Sequence, residues 1–161
     1  MPRTALIVAI PEADPTVGAL RLEHDWSARL GVPAHVTILF PFADPADVDE
    51  QAVADVVATF RSFDVVLDRV DRFEDGPVWL HPEPSAPFAA LTEAVRRRFP
   101  DYPPYEGAHD VLVPHLTVSY APIELDVELP IRATVRAVTL IEEAVDGRWF
   151  VRRVFPLQGV A

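Results

Sequence analysis

The spacing of apolar residues along this chain predicts strands and helices that follow one another in turn. Residues 5–10 form an apolar run that predicts a first strand. Residues 12–31 predict a helix with Asp14 as its N-cap, and Val17 and Leu22 fall on its apolar face. The opening of the chain therefore indicates a strand followed by a short helix.

Two further helices and two hairpins complete the predicted elements. Apolar residues recur at helical spacing over residues 44–60 and again over residues 85–99. Residues 63–82 and 131–157 each predict a pair of strands, because each range has an Asp-Gly pair that favours a tight turn. Prolines and a glycine predict a loop at residues 100–114.

Two short stretches interrupt this pattern by placing polar residues inside apolar runs. "PAHVTILFPF" contains His35 and Thr37, and "VPHLTVSY" contains His115 and Thr117. Residues two apart in a strand share a face, so each stretch predicts an imidazole and a hydroxyl on one face and apolar residues on the other. The composition gives about 0.06 chance occurrences of His-apolar-Thr-apolar, so two occurrences indicate a shared role.

The two stretches also suggest an internal repeat. They lie 80 positions apart, from His35 to His115, and each precedes a predicted hairpin with an Asp-Gly turn. We therefore expect two corresponding halves, each running from its His-x-Thr strand to its own hairpin, that face each other across a shared cleft. Such clefts commonly hold ligands.

Composition excludes several classes of chemistry. The chain of 161 residues has no cysteine, which excludes disulfides and thiol catalysis and agrees with a cytoplasmic location. All 14 basic residues are arginine, so a P-loop lysine and a Schiff-base lysine are excluded. A net charge of −11 argues against stable binding of long nucleic acid. No apolar run approaches the roughly 18 residues that a membrane span requires.

Two facing imidazoles suit general acid–base catalysis, because one can be neutral while the other is charged near neutral pH. The two threonine hydroxyls can hold the oxygens of a phosphate between them, and this arrangement requires no metal. Arg21 is a further candidate phosphate ligand, with a salt-bridged helix residue as the alternative. Phe42 and Tyr120 follow the motif strands and are candidates for stacking on a base, with core packing as the alternative.

Other interpretations of the histidines stay open. A pair of core histidines satisfied by neighbouring hydroxyls is the structural alternative, and a nucleotide-binding protein with little turnover would keep the same cleft. A zinc hydrolase would use His35 and His115, but a third ligand at a recognisable spacing is missing. We also expect an acidic exterior around a positive cleft floor, with the charge supplied by Arg21 or by Arg152 or Arg153 of the last strand.

The chain resembles the two-histidine (2H) phosphoesterase superfamily, which contains 2′-5′ RNA ligases and cyclic nucleotide phosphodiesterases. The resemblance lies in both motif stretches and in the segment between them, "PVWLHPEPSAPFAALTEAVRRRFPDYPPYEG". The resemblance implies an α+β fold: a bilobal, pseudo-symmetric duplication with antiparallel sheets around a central cleft and helices on the outside. We expect one such domain over residues 1–161.

The same resemblance implies an activity. Family members open or close 2′,3′-cyclic or 2′-5′ phosphodiesters without a metal or other cofactor. Matched residue by residue, His35 and His115 take the acid and base roles, and Thr37 and Thr117 hold the phosphate. The acidic balance departs from RNA-processing members and favours a small nucleotide or a short RNA end as substrate. We expect a cytoplasmic monomer without a membrane partner.

Overall fold

The structure is a computed structural model that describes residues 2–107 and 112–159, and its strands form two four-stranded antiparallel sheets. The first sheet contains β1 (Thr4–Ala9), β2 (His35–Leu39), β7 (Ala137–Glu143) and β8 (Trp149–Pro156), in the spatial order β2-β1-β7-β8. The second contains β3 (Phe63–Arg72), β4 (Val78–Glu83), β5 (Leu116–Ser119) and β6 (Ile131–Val135), in the order β5-β4-β3-β6.

The two sheets are built on the same plan. The helices of the described chain are α1 (Asp14–His24), α2 (Trp26–Arg29), α3 (Glu50–Val57) and α4 (Ala86–Arg98). In β1-α1-β2 and again in β4-α4-β5, a strand inside the sheet leads through a helix to a strand at the sheet edge, and that edge strand carries the His-x-Thr pair. The predicted α+β fold with two pseudo-symmetric antiparallel sheets is confirmed.

The boundaries of the repeat differ from the prediction. The sequence groups each motif strand with the hairpin that follows it in one half, but in the structure β2 shares its sheet with β7 and β8, and β5 shares its sheet with β3 and β4. The prediction of the second hairpin is also wrong for its first strand. That segment is interrupted at Arg136 and forms two strands, β6 and β7, which belong to different sheets. Alternating side chains mark a strand without specifying its partner, so local pattern leaves the pairing open.

Two helix predictions need correction in detail. In α1 the buried residues are Val17 and Arg21, four positions apart, whereas Leu22 is 56% exposed. Helix α3 begins at Glu50, because the side chain of Asp49 caps it by accepting a hydrogen bond from the backbone N–H of Ala52. No helix among the described residues combines the length and the apolar character needed to cross a membrane.

Packing of the helices brings the two motif strands together. Helix α1 packs against β5 and α4 packs against β2, so each helix contacts the motif strand of the other sheet, and β2 and β5 are themselves in contact. The predicted apolar faces of both strands are buried, as Val36 and Val118 are fully inaccessible to solvent. Burial of such side chains contributes about 1.5–3 kcal/mol each and fixes the polar faces toward the junction of the sheets.

Candidate active site

The two motif histidines are held in the same way by the backbone that precedes them. Nδ1 of His35 lies 2.8 Å from the carbonyl oxygen of Pro33, and Nδ1 of His115 lies 2.6 Å from the carbonyl oxygen of Val113. A carbonyl oxygen only accepts, so Nδ1 must carry the proton in both rings. In the neutral form of each ring, Nε2 then has the lone pair, and the two rings present the same nitrogen for proton transfer.

The electrostatic surroundings of His35 keep its ring neutral. Burial is the main cause that lowers the pKa of His35 to about 4, and the positive charge of Arg21 and the neighbouring His115 lower it further. The hydrogen bond to the Pro33 carbonyl and the negative charge of Asp25 oppose the fall in this pKa without reversing it. Since His115 takes part in this balance, the two imidazoles interact.

Arg21 is buried in an ion pair beneath the motif strand. Its guanidinium contacts the Oδ2 of Asp25 at 3.1 Å and donates to the carbonyl oxygen of Val32 at 3.1 Å. The Oδ1 of Asp25 accepts from the backbone N–H of Ser27 at 3.0 Å and from its hydroxyl at 2.7 Å. Arg21 is 3% exposed and does not line the cavity described below, which supports the salt-bridge alternative for this residue.

A cavity of about 870 Å³ opens beside the junction of the two motif strands. Its walls include Thr37 of β2, Thr117 of β5, the His115 ring and Tyr120. His35 is half-buried and is not among the residues of the cavity wall, although Thr37 of the same strand face is. Both threonines and both histidines therefore belong to one region of the molecule, where His115 lines the cavity and His35 lies on the same strand face as a lining threonine.

Tyr105 is a cavity residue that the motif pattern did not indicate. Its side chain forms a hydrogen bond with the side chain of Thr37, and its backbone N–H donates to the carbonyl oxygen of Phe40 at 2.6 Å. Burial raises the pKa of the Tyr105 hydroxyl, and the bond to Thr37 opposes that rise. Tyr105 comes from the proline-rich loop, where the sequence carries no signal for a site residue.

Aromatic rings surround the second histidine. The ring of Phe73 meets the His115 ring edge-on at 4.9 Å between centroids, and Trp79 approaches the same ring at 5.8 Å. Phe73 and Trp79 stack on each other at 5.1 Å. Trp79 is buried and lies opposite Thr117 in the β4–β5 pairing, so it also supports the second motif. These contacts restrict the orientation of the His115 imidazole.

The two aromatic candidates for base stacking lie in different environments. Tyr120 lines the cavity, is 45% exposed and stacks on Trp26 at 5.9 Å. Burial of its hydroxyl, with the nearby carboxylate of Asp25, raises the pKa of Tyr120 to about 12. Phe42 is 6% exposed and packs edge-on against Phe99 at 5.1 Å, so it occupies the core and not the cavity wall.

The expected positive cleft floor is not observed. Arg152 pairs with Glu50 at 2.9 Å, and Arg153 contacts the same carboxylate at 3.4 Å, so both arginines of the last strand are engaged there. Arg21 is buried in its own pair. Among the cavity residues that the structure describes, the arginine is Arg96 of α4.

One cluster in the described chain has the spacing of metal ligands. It consists of Asp68, His81 and Glu83, whose ligand atoms all lie within 4.8 Å of one another. The cluster includes neither His35 nor His115, so the described residues do not build the motif histidines into a three-ligand set.

Comparison with known proteins agrees with this geometry. The family model of the 2′-5′ RNA ligase superfamily matches residues 10–153. E. coli LigT, crystallised with 3′-AMP, has a TM-score of 0.71 at 17% identity, covering 98% of this chain and 99% of that one. The protein TT0787 of Thermus thermophilus has a TM-score of 0.68 at 20% identity, covering 99% and 100%.

A further solved structure, described as a phosphoesterase, has a TM-score of 0.62 at 17% identity and covers 98% of this chain and 99% of its own. No curated protein sequence matches the chain. At these identities the structural likeness shows that the fold is shared.

Proposed function

This chain belongs to the 2′-5′ RNA ligase superfamily, and on that premise we propose that it is a phosphodiesterase that uses two histidines and no metal. Its substrates would be 2′,3′-cyclic or 2′-5′ phosphodiesters of nucleotides or short RNA ends. The observation that carries the proposal is the identical bond from each histidine Nδ1 to the carbonyl oxygen two residues earlier. That bond fixes the same tautomer in both rings and presents both Nε2 atoms for proton transfer.

We assign the base to His35 and the acid to His115. Since the pKa of His35 lies at about 4, its ring is neutral at pH 7 and its Nε2 can accept a proton from the attacking water. The water oxygen forms a bond to phosphorus while the bond from phosphorus to one ribose oxygen breaks. The protonated His115 gives its Nε2 proton to that departing oxygen, so a cyclic diester becomes a monoester and a free hydroxyl.

The two threonines stabilise the charge that develops on phosphorus. Their hydroxyls donate to the two non-bridging oxygens, and this support counts most when the phosphate becomes five-coordinate. Thr37 is held by Tyr105, and Thr117 lies opposite Trp79. The Thr37 hydroxyl is therefore held before the substrate arrives, and the strand pairing fixes the backbone position of Thr117, which lowers the cost of organising the site.

The cavity suits a small nucleotide. Its volume of about 870 Å³ falls in the range of roughly 300–1,000 Å³ that small-molecule sites occupy. LigT has been crystallised with 3′-AMP, ATP and NADP+, which supports nucleotide binding by this fold. The exposed Tyr120, stacked on Trp26, would contact the base or ribose beside the reacting phosphate.

The test is turnover of 2′,3′-cyclic nucleotides and 2′-5′ linked dinucleotides, with and without a chelator. We expect His35→Ala and His115→Ala each to lower the rate by about 10²- to 10⁴-fold, whereas His24→Ala, a histidine outside the cavity wall, leaves it unchanged. Full activity in His35→Ala, or loss of wild-type activity on chelation, would refute the mechanism. Tight nucleotide binding without turnover would instead support the nucleotide-binding alternative.

The two roles can be separated by changing the leaving group. A nucleoside 4-nitrophenyl phosphodiester releases a stable phenolate that needs no proton, so the acid becomes dispensable while the base does not. We expect His115→Ala to recover most of its lost activity on this substrate, and His35→Ala to stay impaired. The opposite pattern would exchange the two assignments.

A further inference from the structure

The charged side chains of the cavity wall are distributed unevenly. Among the described residues, Glu74 and Asp75 lie in the turn between β3 and β4, and Glu93 and Arg96 lie on α4. Glu93 pairs with two arginines, because its carboxylate accepts from Nε of Arg96 at 3.2 Å and from Nε of Arg97 at 3.1 Å, so this group carries a net positive charge. Glu74 and Asp75 have no ion-pair partner in the part of the chain that the structure describes. Within the described ranges, the turn therefore contributes two negative charges without an ion-pair partner to the wall.

This acidic turn, Glu74 and Asp75, is held beside the reacting groups. The backbone N–H of Phe73 donates to the carbonyl oxygen of Pro77 at 2.9 Å, and that of Gly76 donates to the carbonyl oxygen of Phe73 at 3.0 Å. The ring of Phe73 contacts the His115 imidazole. These bonds brace a short turn whose carboxylates stay near the end of the cavity that holds the second histidine.

We propose that the acidic turn restricts the substrate to a molecule whose only phosphate is the one that reacts. The inference rests on the proposed function and narrows its substrate class. Threonine hydroxyls and a protonated histidine compensate the charge of the reacting diester. A further terminal phosphate carries between one and two extra negative charges near neutral pH, and the acidic turn presents two carboxylates to it. A nucleoside 2′,3′-cyclic phosphate is therefore preferred over the same compound with an added 5′-phosphate.

The size of the preference follows from Coulomb's law. If the separation is taken as about 9 Å in water, two carboxylates acting on a doubly charged phosphate give about three-fold discrimination at 0.15 M ionic strength. With the weaker screening at 0.01 M, the same interaction gives about ten-fold. Because both carboxylates are exposed, the preference should be modest at physiological salt and should grow as salt is removed.

The experiment compares kcat/KM for adenosine 2′,3′-cyclic phosphate with that for its 5′-phosphorylated form at both ionic strengths. The test variant is Glu74→Gln/Asp75→Asn. Its matched control is Glu128→Gln/Asp146→Asn, which removes one Glu and one Asp from exposed positions outside the cavity wall. We expect the wild-type ratio to be about 3 and 10 at the two ionic strengths, close to 1 in the test variant, and unchanged in the control.

Several results would overturn the inference. A kcat/KM ratio near 1 in the wild type would do so. A ratio that falls as far in the control as in the test variant would also do so, because net charge and not the turn would then be responsible. A preference for the 5′-phosphorylated substrate that Arg96→Gln abolishes would place the second phosphate at α4 instead.

Calorimetry that measures the Kd of adenosine 3′-monophosphate and of adenosine 3′,5′-bisphosphate distinguishes failure of the proposed function from failure of the charge selection by the acidic turn. Absence of turnover on both cyclic substrates refutes the proposed function alone, because the Kd ratio of these two ligands still reports the charge selection. We expect the Kd of the bisphosphate divided by the Kd of the monophosphate to exceed 1 in the wild type and in the control. In the test variant this ratio should be close to 1. Equal Kd values for the two ligands in the wild type would refute the inference.

Discussion

Acidification should destabilise this protein through His35 in a way that one substitution can isolate. An ordinary histidine titrates near pH 6.5, whereas burial lowers the pKa of His35 to about 4. The unfolded chain therefore takes up this proton at a higher pH than the folded protein does. The contribution of His35 to stability is complete above pH ~6.5 and decreases as the pH falls toward ~4, with a total loss of about 3 kcal/mol.

Most of this loss falls within an accessible pH range. Between pH 7.5 and pH 4.5 the linkage relation gives about 2.5 kcal/mol for His35. Carboxylates also titrate in this interval, so the measured quantity is the difference between the wild type and His35→Asn in urea unfolding at both pH values. An asparagine amide can keep the bond to the Pro33 carbonyl but has no proton to gain. His24→Asn serves as the control.

We expect the free energy of unfolding to fall by about 2.5 kcal/mol more in the wild type than in His35→Asn, and equally in the wild type and His24→Asn. Parallel losses in the wild type and His35→Asn would refute the reasoning, and so would a His35 resonance that titrates near pH 6.5 by NMR. The same protonation should set the acidic limb of kcat/KM near pH 4, because a protonated His35 cannot act as the base.

Further substitutions test the structure around the site. Gly31 has φ +95°, and a Cβ there would lie 2.7 Å from the carbonyl oxygen of Trp149, so Gly31→Ala should cost about 2 kcal/mol or more in thermal unfolding. Gly147→Ala, at φ +87° with nothing within 4 Å, should cost only about 1 kcal/mol. Arg21→Met should cost about 3–5 kcal/mol in urea unfolding, because it leaves the Asp25 carboxylate buried and unpaired, and adding Asp25→Asn should restore part of that loss. Thr117→Ala should lower kcat/KM by about 10- to 100-fold without a comparable loss of stability, since it removes one neutral donor to the phosphate; an equal fall in stability would make its role structural.

Short-range pattern was enough to predict the parts of the site that lie within one strand. The two-residue period assigned His35 and Thr37 to one face and Val36 to the other, and the burial of Val36 agrees with that alternation. The same pattern could not predict that His115 lines the cavity whereas His35 does not, because that depends on how the two sheets and their helices pack together. Helix α1 crosses to the other sheet and packs on β5, and no local period records that crossing.

The sequence by itself determined the two motif strands, their polar faces and the chemistry available to them, because these depend on neighbours a few positions apart. Tertiary structure alone decided which hairpin joins which motif strand, and it brought Tyr105 and Phe73 to the cavity from loops distant in the chain. It also placed Arg21 in a buried pair and brought Glu74 and Asp75 to the wall, where no described residue forms an ion pair with them. The physical reason is that strand pairing, side-chain burial and charge balance are set by contacts between residues far apart in sequence. Hydrophobic periodicity describes only neighbours a few positions apart, so it does not predict these contacts.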